Sequence, residues 1–473
     1  MADIKKHDLL ELEIESIAFG GKGVAKIDNF VIFVRDTLPG QRVRALVIKK
    51  KAAFAEALVR EILRPAPGQI QAPCPYFADC GGCKFQNLLY EKQLEMKKRQ
   101  VREVYAHLAG MPDIPVSEVL PAPAIYAYRN KMDFSTGVSR WLLRENDPGT
   151  DLRFAIGLHA PGRFDRILDI DHCLLQDEER NAIFRTVREW VRQNGITLND
   201  QRTHRGFLRN VIIRKGEHSG EIMINLVTRF RKPEQFAPLV KLLKEKYPVV
   251  TSVVNNITAS KGDHSIGEHE LLLYGDPVIH DRLGKYEYQI SANAFFQTNT
   301  RGAEQLYDTL VDMAAFKKSD VVWDLYCGTG TISLYAADHV RKVVGFELVR
   351  DAVNNARENA RRNKVKNCAF HQADLDHFWR DHSDLLTSLE KPDIAVVDPP
   401  RAGLSPKFIR QLTALGPSSI VYVSCNPSTQ ARDILLLTEE NYQTREIRLV
   451  DMFPHTAHIE TIALLIRKRH ADG

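Results

Sequence analysis

The sequence predicts an α/β protein: a C-terminal doubly wound, Rossmann-type sheet, a small N-terminal β-barrel and a central mixed α+β region. Three observations carry this. From about residue 291, apolar runs alternate with helical stretches: "VVWDLYCGTGTISLYAA", "KVVGFEL", "DIAVVDPP" and "SIVYVSC". Strands of a parallel sheet read as continuous apolar runs because helices cover both faces. Residues 10–62 instead alternate apolar and polar in short runs broken by "GGKG", "DN" and "LPG". That period of two, with close turns, is the pattern of a small antiparallel barrel. Between the two, residues 126–290 read as mixed antiparallel sheet, with "VIIRKGEHSGEIMINLV" forming two strands around a glycine-containing turn.

The boundaries that follow are 1–65 for the barrel, 66–290 for the central region and 291–473 for the doubly wound domain. "RPAPGQIQAP" (64–73) is a linker by its proline and glycine content. In "YEKQLEMKKRQVREVYAHLAG" (90–110), Leu94, Val101, Val104, Tyr105 and Leu108 share one helical face and the basic residues another, with Gly110 as a C-terminal cap. This helix is open to packing on the last domain despite its early place.

A chain of 473 residues exceeds one ordinary core, and 44% hydrophobic with 26% charged residues is a soluble globular composition. No apolar run approaches the roughly 18 residues of a membrane span. The start, "MADIKKHDLLELEIE", has acids where a signal peptide needs its apolar region. A cytoplasmic monomer with no membrane association is expected. The net charge of +5 permits a polyanionic partner without requiring one. Arg42, Arg44, Lys49, Lys50 and Lys51 follow one another without an acid, either as a solvated edge strand or as a phosphate-facing strip. "YRNKMDFS" (128–135) and "RGFLRNVIIR" (205–214) set arginines beside aromatics.

In "VVWDLYCGTGTISLYAADH" a buried strand runs through Asp324 into Gly328, Thr329 and Gly330, then a helix. Glycines there let a ligand lie against the backbone. The next strand ends with Glu347, an acid suited to the two hydroxyls of a ribose. A nicotinamide dinucleotide is the rival ligand. The third glycine of its fingerprint is replaced by Ser333, and no phosphate-binding lysine follows, so S-adenosylmethionine fits better. Asp398 closes the strand of "DIAVVDPPRAGLS", at the edge where open α/β sheets bind ligands. Asp374, in "HQADLDHF", ends another short strand and suits an adenine amino group.

Cys425 follows the strand "SIVYVS", at the same edge as Asp398. It is either a small packing residue or an accessible nucleophile. Carbon 5 of a pyrimidine attacks a methyl group poorly until a thiolate adds at carbon 6. A base must then remove the carbon-5 proton, and Glu460 in "DMFPHTAHIETIALL" is the candidate. Separately, "CPYFADCGGC" places Cys74, Cys80 and Cys83 within ten residues, with Cys173 a fourth, distant candidate. Four thiolates suit zinc or an iron–sulfur cluster, and the spacing leaves both open. Cys327 and Cys368 read as packing residues.

Four stretches, "FFQTN" (295–299), "DLYCGTGTISL" (324–334), "DPPRAGL" (398–404) and "VSCNP" with "DMFPHTAHIE" (451–460) after it, resemble the RNA 5-methyluridine methyltransferases. The resemblance spans most of the chain. It implies that Cys425 is the nucleophile and Glu460 the base, that Gln297, Tyr326, Glu347 and Asp398 contact S-adenosylmethionine, and that Phe295 stacks on the target uracil. Thr331 departs from members with asparagine there, which puts one cofactor hydrogen bond in doubt. Cytosine-5 enzymes carry a second cysteine after the Pro-Pro, where this chain has Arg401, so uracil is implied. The barrel resembles a TRAM domain, an RNA-binding module. The cysteines resemble those of a subset that holds a [4Fe–4S] cluster. Barrel and cluster together favour 23S ribosomal RNA over transfer RNA as the partner. A non-catalytic RNA-binding protein on a dead methyltransferase fold is the alternative, and the presence of both Cys425 and Glu460 argues against it.

Overall fold

A computed structural model of the chain describes residues 4–143, 151–262, 267–377 and 383–468. It divides into two units, 1–70 with 88–123 and 302–473, and 71–87 with 124–301. This differs from the expected three consecutive segments. The barrel and the helix near residue 100 group with the C-terminal residues, and residues 291–301 group with the central ones.

In the first unit, β1 (Leu9–Glu13), β2 (Ser16–Ala18), β3 (Lys22–Ile27), β4 (Phe30–Arg35), β5 (Arg42–Lys50) and β6 (Phe54–Arg64) form one sheet in the order β1-β5-β6-β4-β3-β2. Alternation builds its core: Val43, Ala45 and Val47 of β5 are fully buried, while Arg42 and Arg44 face outward. The basic strip is not a bare one. Glu11 of β1 lies opposite Arg44 in register and binds Arg42 at 2.9 Å and Arg44 at 3.1 Å. Glu61 binds Arg44 at 2.6 Å, Lys49 reaches Glu56 at 3.7 Å, and Lys50 lies over the Phe30 ring at 4.8 Å. The acids come from neighbouring strands, which a run of consecutive residues does not reveal.

Next come α1 (Tyr90–Leu108) and β7 (Val116–Leu120). Val101 and Tyr105 of α1 are buried as expected, but Leu108 is 49% exposed and Gln93, Lys97 and Gln100 are buried instead. Each of these three finds a buried partner: His455, Asp451 and the Ile17 carbonyl. Satisfied polar groups, rather than the apolar count, choose the buried face.

The second unit begins with β8 (Lys131–Gly137), β9 (Arg140–Trp141), β10 (Ala155–His159), β11 (Ile167–Asp169) and α2 (Glu178–Gln193). It continues with β12 (Leu208–Lys215), β13 (Ile222–Thr228), α3 (Ala237–Lys246), β14 (Val250–Ile257), β15 (His269–Gly275) and the hairpin β16 (Val278–Leu283)–β17 (Tyr286–Ser291). Its main sheet runs β15-β14-β13-β12-β8-β10-β11-β9, and the expected hairpin is β12–β13, with Ile213 opposite Ile224. Two arginines of "RGFLRNVIIR" do not face solvent. Arg209 donates to the carbonyls of Ser260 and Gly262, and Arg214 to those of Ser291 and Ala294.

Then α4 (Thr300–Ala314) crosses the 301/302 division. It precedes β18 (Val321–Leu325), α5 (Thr331–Ala337), β19 (Lys342–Glu347), α6 (Arg350–Arg362), β20 (Cys368–Gln372), α7 (Ser383–Ser388), β21 (Ile394–Val397) and α8 (Pro406–Leu415). The remaining elements are β22 (Ser419–Ser424), α9 (Pro427–Glu439), β23 (Tyr442–Val450) and β24 (Glu460–Arg467). The sheet order is β20-β19-β18-β21-β22-β24-β23-β7. Five strands form the expected parallel core. β24 enters antiparallel between β22 and β23, and β7, from far up the chain, extends the edge parallel to β23. α1 packs on α9 and β7, so Val101 and Tyr105 join one core with Trp323, Phe346, Tyr422 and Leu465.

Candidate active site

At the end of β18 the chain leaves a buried strand and turns sharply. Tyr326 takes φ 68°, a left-handed value uncommon for a residue with a side chain. Gly328 and Gly330 follow with φ 54° and 81°. Their roles differ. A Cβ on Gly330 would stand 3.0 Å from Phe370 and 3.1 Å from Ala356, so packing demands glycine there. A Cβ on Gly328 would meet open space, so its backbone is bare to a ligand. Glu347, at the tip of β19, ties this turn to the next helix: Oε2 accepts from Gly328 N at 3.1 Å and Oε1 from Val349 N at 2.8 Å.

Asp324 is fully buried and accepts from Ser333 Oγ at 2.5 Å. Burial, and then the charge of Glu347, push its carboxyl up to about 7. Asp398, at the end of β21, is half-buried, and its backbone N donates to Leu325 O at 3.3 Å. Burial and the charge of Asp324 push it up to about 7 as well. Asp374 lies two residues past β20, where His377 Nδ1 at 2.9 Å holds its carboxyl below the usual range. Burial and the charges of Asp376, Asp374 and Asp433 raise the Tyr326 phenol. Thr331 Oγ1 lies 3.2 Å from the Tyr307 hydroxyl.

The register of β22 against β24 pairs Ser424 with Thr461. Cys425 follows Ser424 directly and Glu460 precedes Thr461 directly, so both lie at this end of the strand pair, close enough for the Glu460 charge to act on the thiol. Thr461 Oγ1 pins the Ser424 carbonyl at 3.0 Å. Asn426 caps α9 through Ser428 N at 3.1 Å, and its Nδ2 holds the Arg401 carbonyl at 3.0 Å. Arg401 Nη2 lies 3.3 Å from His458 Nδ1. Burial, then the charge of Glu460, push the Cys425 thiol up. The Arg401 guanidinium opposes both, by charge and by hydrogen bond. Glu460 is 9% exposed; burial and the charge of Asp398 push it up to about 8, again against Arg401. The first unit therefore brings Tyr326, Glu347, Asp398, Cys425 and Glu460 to one end of the sheet. The sequence reading used Arg401 only to separate uracil from cytosine. Its place directly after the Asp-Pro-Pro stretch was the signal that it borders the thiol.

Gln297 and Phe295 belong to the second unit. Asn130 fixes their segment, with Nδ2 donating to Gln297 O at 2.7 Å and N donating to Thr298 O at 2.8 Å. Phe295 is 72% exposed. In the same unit Cys74, Cys80, Cys83 and Cys173 line one cavity of about 130 Å³, and all four are free thiols. Burial raises all four, Cys83 to about 11 and Cys173 to about 12, and the Cys173 thiol feels the charges of the other three. Among the described residues, no three such ligands converge on a single ion position.

A bare glycine turn flanked by acids on successive strand tips, with a thiol, a guanidinium and a carboxyl at the same sheet edge, is the arrangement of a doubly wound α/β protein with its ligand edge at the strand ends. The family model described as tRNA (uracil-5-)-methyltransferase matches residues 215–468, and that of the TRAM domain matches 8–59. A protein of Chlorobaculum tepidum named an uncharacterized RNA methyltransferase is 39% identical over 470 residues, 98% of this chain and 97% of its own. Another of that name, from Halalkalibacterium halodurans, is 35% identical over 98% of each chain. The crystal structure of Pyrococcus abyssi tRNA (uracil-54, C5)-methyltransferase in complex with S-adenosyl-L-homocysteine superposes with a TM-score of 0.74. It is 28% identical and covers 97% of this chain and 100% of its own. The chain belongs to the tRNA (uracil-5-)-methyltransferase family, with a TRAM domain at its N-terminus, and is an RNA (uracil-5-)-methyltransferase.

Proposed function

We propose that this enzyme methylates carbon 5 of a uridine in 23S ribosomal RNA through a covalent bond between Cys425 and carbon 6. The observation that carries the chemistry is the placing of Cys425 and Glu460 at the same end of the paired strands β22 and β24, with the Arg401 charge acting on both. Arg401 favours the thiolate that adds to carbon 6. S-adenosylmethionine supplies the methyl group to the electron-rich carbon 5 that results. Glu460, as carboxylate, takes the proton from carbon 5, and the thiolate then leaves. The target base must be unstacked for either group to reach it, and the exposed Phe295 suits stacking against it.

For S-adenosylmethionine we assign Gly328, Glu347, Asp374, Asp398 and Tyr326, and the family resemblance adds Gln297. Burial and the charge of Glu347 raise Asp324, burial and the charge of Asp324 raise Asp398, and such crowding of acids favours a ligand bearing the positive sulfonium and ammonium of this donor. The relative solved with S-adenosyl-L-homocysteine supports the same ligand. The choice of ribosomal RNA rests on the barrel joined to the four cysteines, and the cytoplasm is the proposed compartment. Among the described residues no helix is long and apolar enough to cross a membrane. The P. abyssi relative is named for a transfer RNA uridine, so transfer RNA is the second reading. The test is 5-fluorouridine-substituted ribosomal and transfer RNA, each incubated with enzyme and donor. Fluorine does not leave as a proton, so a stalled adduct on Cys425 is expected with ribosomal RNA. An adduct with transfer RNA alone reverses the choice, and no adduct with either overturns the mechanism.

The four cysteines fit a [4Fe–4S] cluster. They line one cavity, and four thiolates are a ligand set of such a cluster as well as of zinc. Bound there, the cluster would tie residues 74–83 to the loop at Cys173 and serve structure, because methyl transfer needs no electron. Protein purified without oxygen is expected to be brown and to contain iron and sulfide. Cys83→Ser is expected to lose both and to unfold at lower temperature. A colourless, iron-free wild-type protein with full activity would remove the cluster.

A further inference from the structure

The second unit carries an open groove of about 770 Å³ bordered by the end of α2, the loop 195–206 and the residues after β13. It uses none of the residues around Cys425. Arg153, Arg192 and Arg205 line it, with Phe154 and Phe230. Phe230 is 44% exposed, yet its ring is not loose. It packs 5.0 Å from Phe207, which is 2% exposed and stacked on Phe236 at 5.5 Å. An aromatic ladder rooted in the core thus ends in a ring at the surface. The Arg192 guanidinium lies over Phe154 at 4.6 Å, and Lys232 Nζ is 5.5 Å from the Phe230 ring. The two acids in the lining, Asp151 and Asp200, are engaged by their own turns. Asp151 accepts from Arg153 N at 2.8 Å, and Asp200 from Arg202 N at 2.9 Å and the Thr203 hydroxyl at 2.8 Å.

We propose that this groove is a second RNA-binding site, holding an unpaired stretch of the substrate outside the target nucleotide. One base stacks on Phe230, and the flanking phosphates lie on Arg192, Arg205 and Arg153. A fixed aromatic face amid guanidiniums is what single-stranded RNA recognition requires: stacking accepts any base, and planar guanidiniums grip phosphate oxygens in pairs. An acidic peptide would use the cations but leave the ring idle. Lys232 is near enough to leave the ring for a phosphate when a base arrives. The inference rests on RNA being the substrate.

The test uses the full-length protein and a short fluorescein-labelled oligoadenylate, with affinity read by anisotropy across a salt series. Phe230→Ala is expected to weaken binding roughly five- to tenfold, in line with loss of one base stack. Phe230→Trp is expected to bind as well as wild type or better. Arg205→Gln is expected to lower the slope of log affinity against log salt by about one. Unchanged affinity in Phe230→Ala, or equal losses in the alanine and tryptophan variants, would overturn the site. The 5-fluorouridine adduct is measured on the same preparations. A wild-type adduct with unchanged Phe230→Ala binding removes the groove alone. A wild type that forms the adduct but does not bind oligoadenylate likewise removes the groove alone, and failure to form any adduct removes the parent reading with it.

Discussion

Glu460→Gln is expected to leave the enzyme trapped on its RNA through Cys425, with methyl transfer completed and release blocked. Cys425→Ala is expected to give neither adduct nor product. The two variants separate because, in the proposed mechanism, the two groups act at different steps. Adduct formation needs the thiolate, which Arg401 favours; release needs a base at carbon 5. Loss of a positioned general base lowers a rate by about 10²–10⁴-fold, enough for the adduct to survive denaturing gels. The pH dependence follows from Glu460, pushed up to about 8. Only its carboxylate takes the proton, so turnover in wild type rises with pH until about 8 and then levels. Stability runs the other way. With a folded value above the ordinary one near 4.5, the folded chain keeps a proton that the unfolded chain has lost. Stability therefore falls as pH rises from about 4.5 toward about 8. Glu460→Gln removes that fall. Denaturant unfolding at pH 5 and pH 9 reads it, and an equal pH dependence in both proteins would mean that Glu460 is not held protonated.

Asp451→Asn is expected to destabilise the fold by about 3–5 kcal/mol, the cost of leaving a buried charge alone. Lys97 is 1% exposed and binds Asp451, which is fully buried, at 2.7 Å. Tyr90 OH gives Asp451 a second hydrogen bond at 2.9 Å. Burial lowers the Lys97 ammonium, and the charge and hydrogen bond of Asp451 oppose that lowering. The pair does more than hold α1. Lys97 also reaches the Phe453 carbonyl at 3.3 Å, and Gln93 takes His455 N at 3.0 Å, so α1 fixes the loop that delivers His458 and Glu460. Activity should fall with stability in Asp451→Asn. The double variant Lys97→Met with Asp451→Asn should recover much of the lost stability, because no buried charge is then unpaired. A single-variant cost under about 1 kcal/mol, less than a typical mutation's, would show that water reaches the pair.

Local patterns made much of this protein legible. Period-two runs marked the barrel strands, and unbroken apolar runs marked β18, β19, β21 and β22. The glycine turn with Glu347 marked the edge proposed for the ligand, because that pattern depends on residues close along the chain. Asp398 and Cys425 were legible for the same reason, each closing its own strand. What lay between distant segments was not. The sequence alone determined that Cys425 and Glu460 exist at strand ends. The antiparallel insertion of β24 beside β22 decided that they lie at the same end of the sheet. The addition of β7 to the sheet, the acids that meet Arg42 and Arg44, and the burial of Lys97 were likewise tertiary decisions. In each case the partner sits tens to hundreds of positions away. Strand order, register and the need of a buried polar group for a partner are settled only when the whole chain packs.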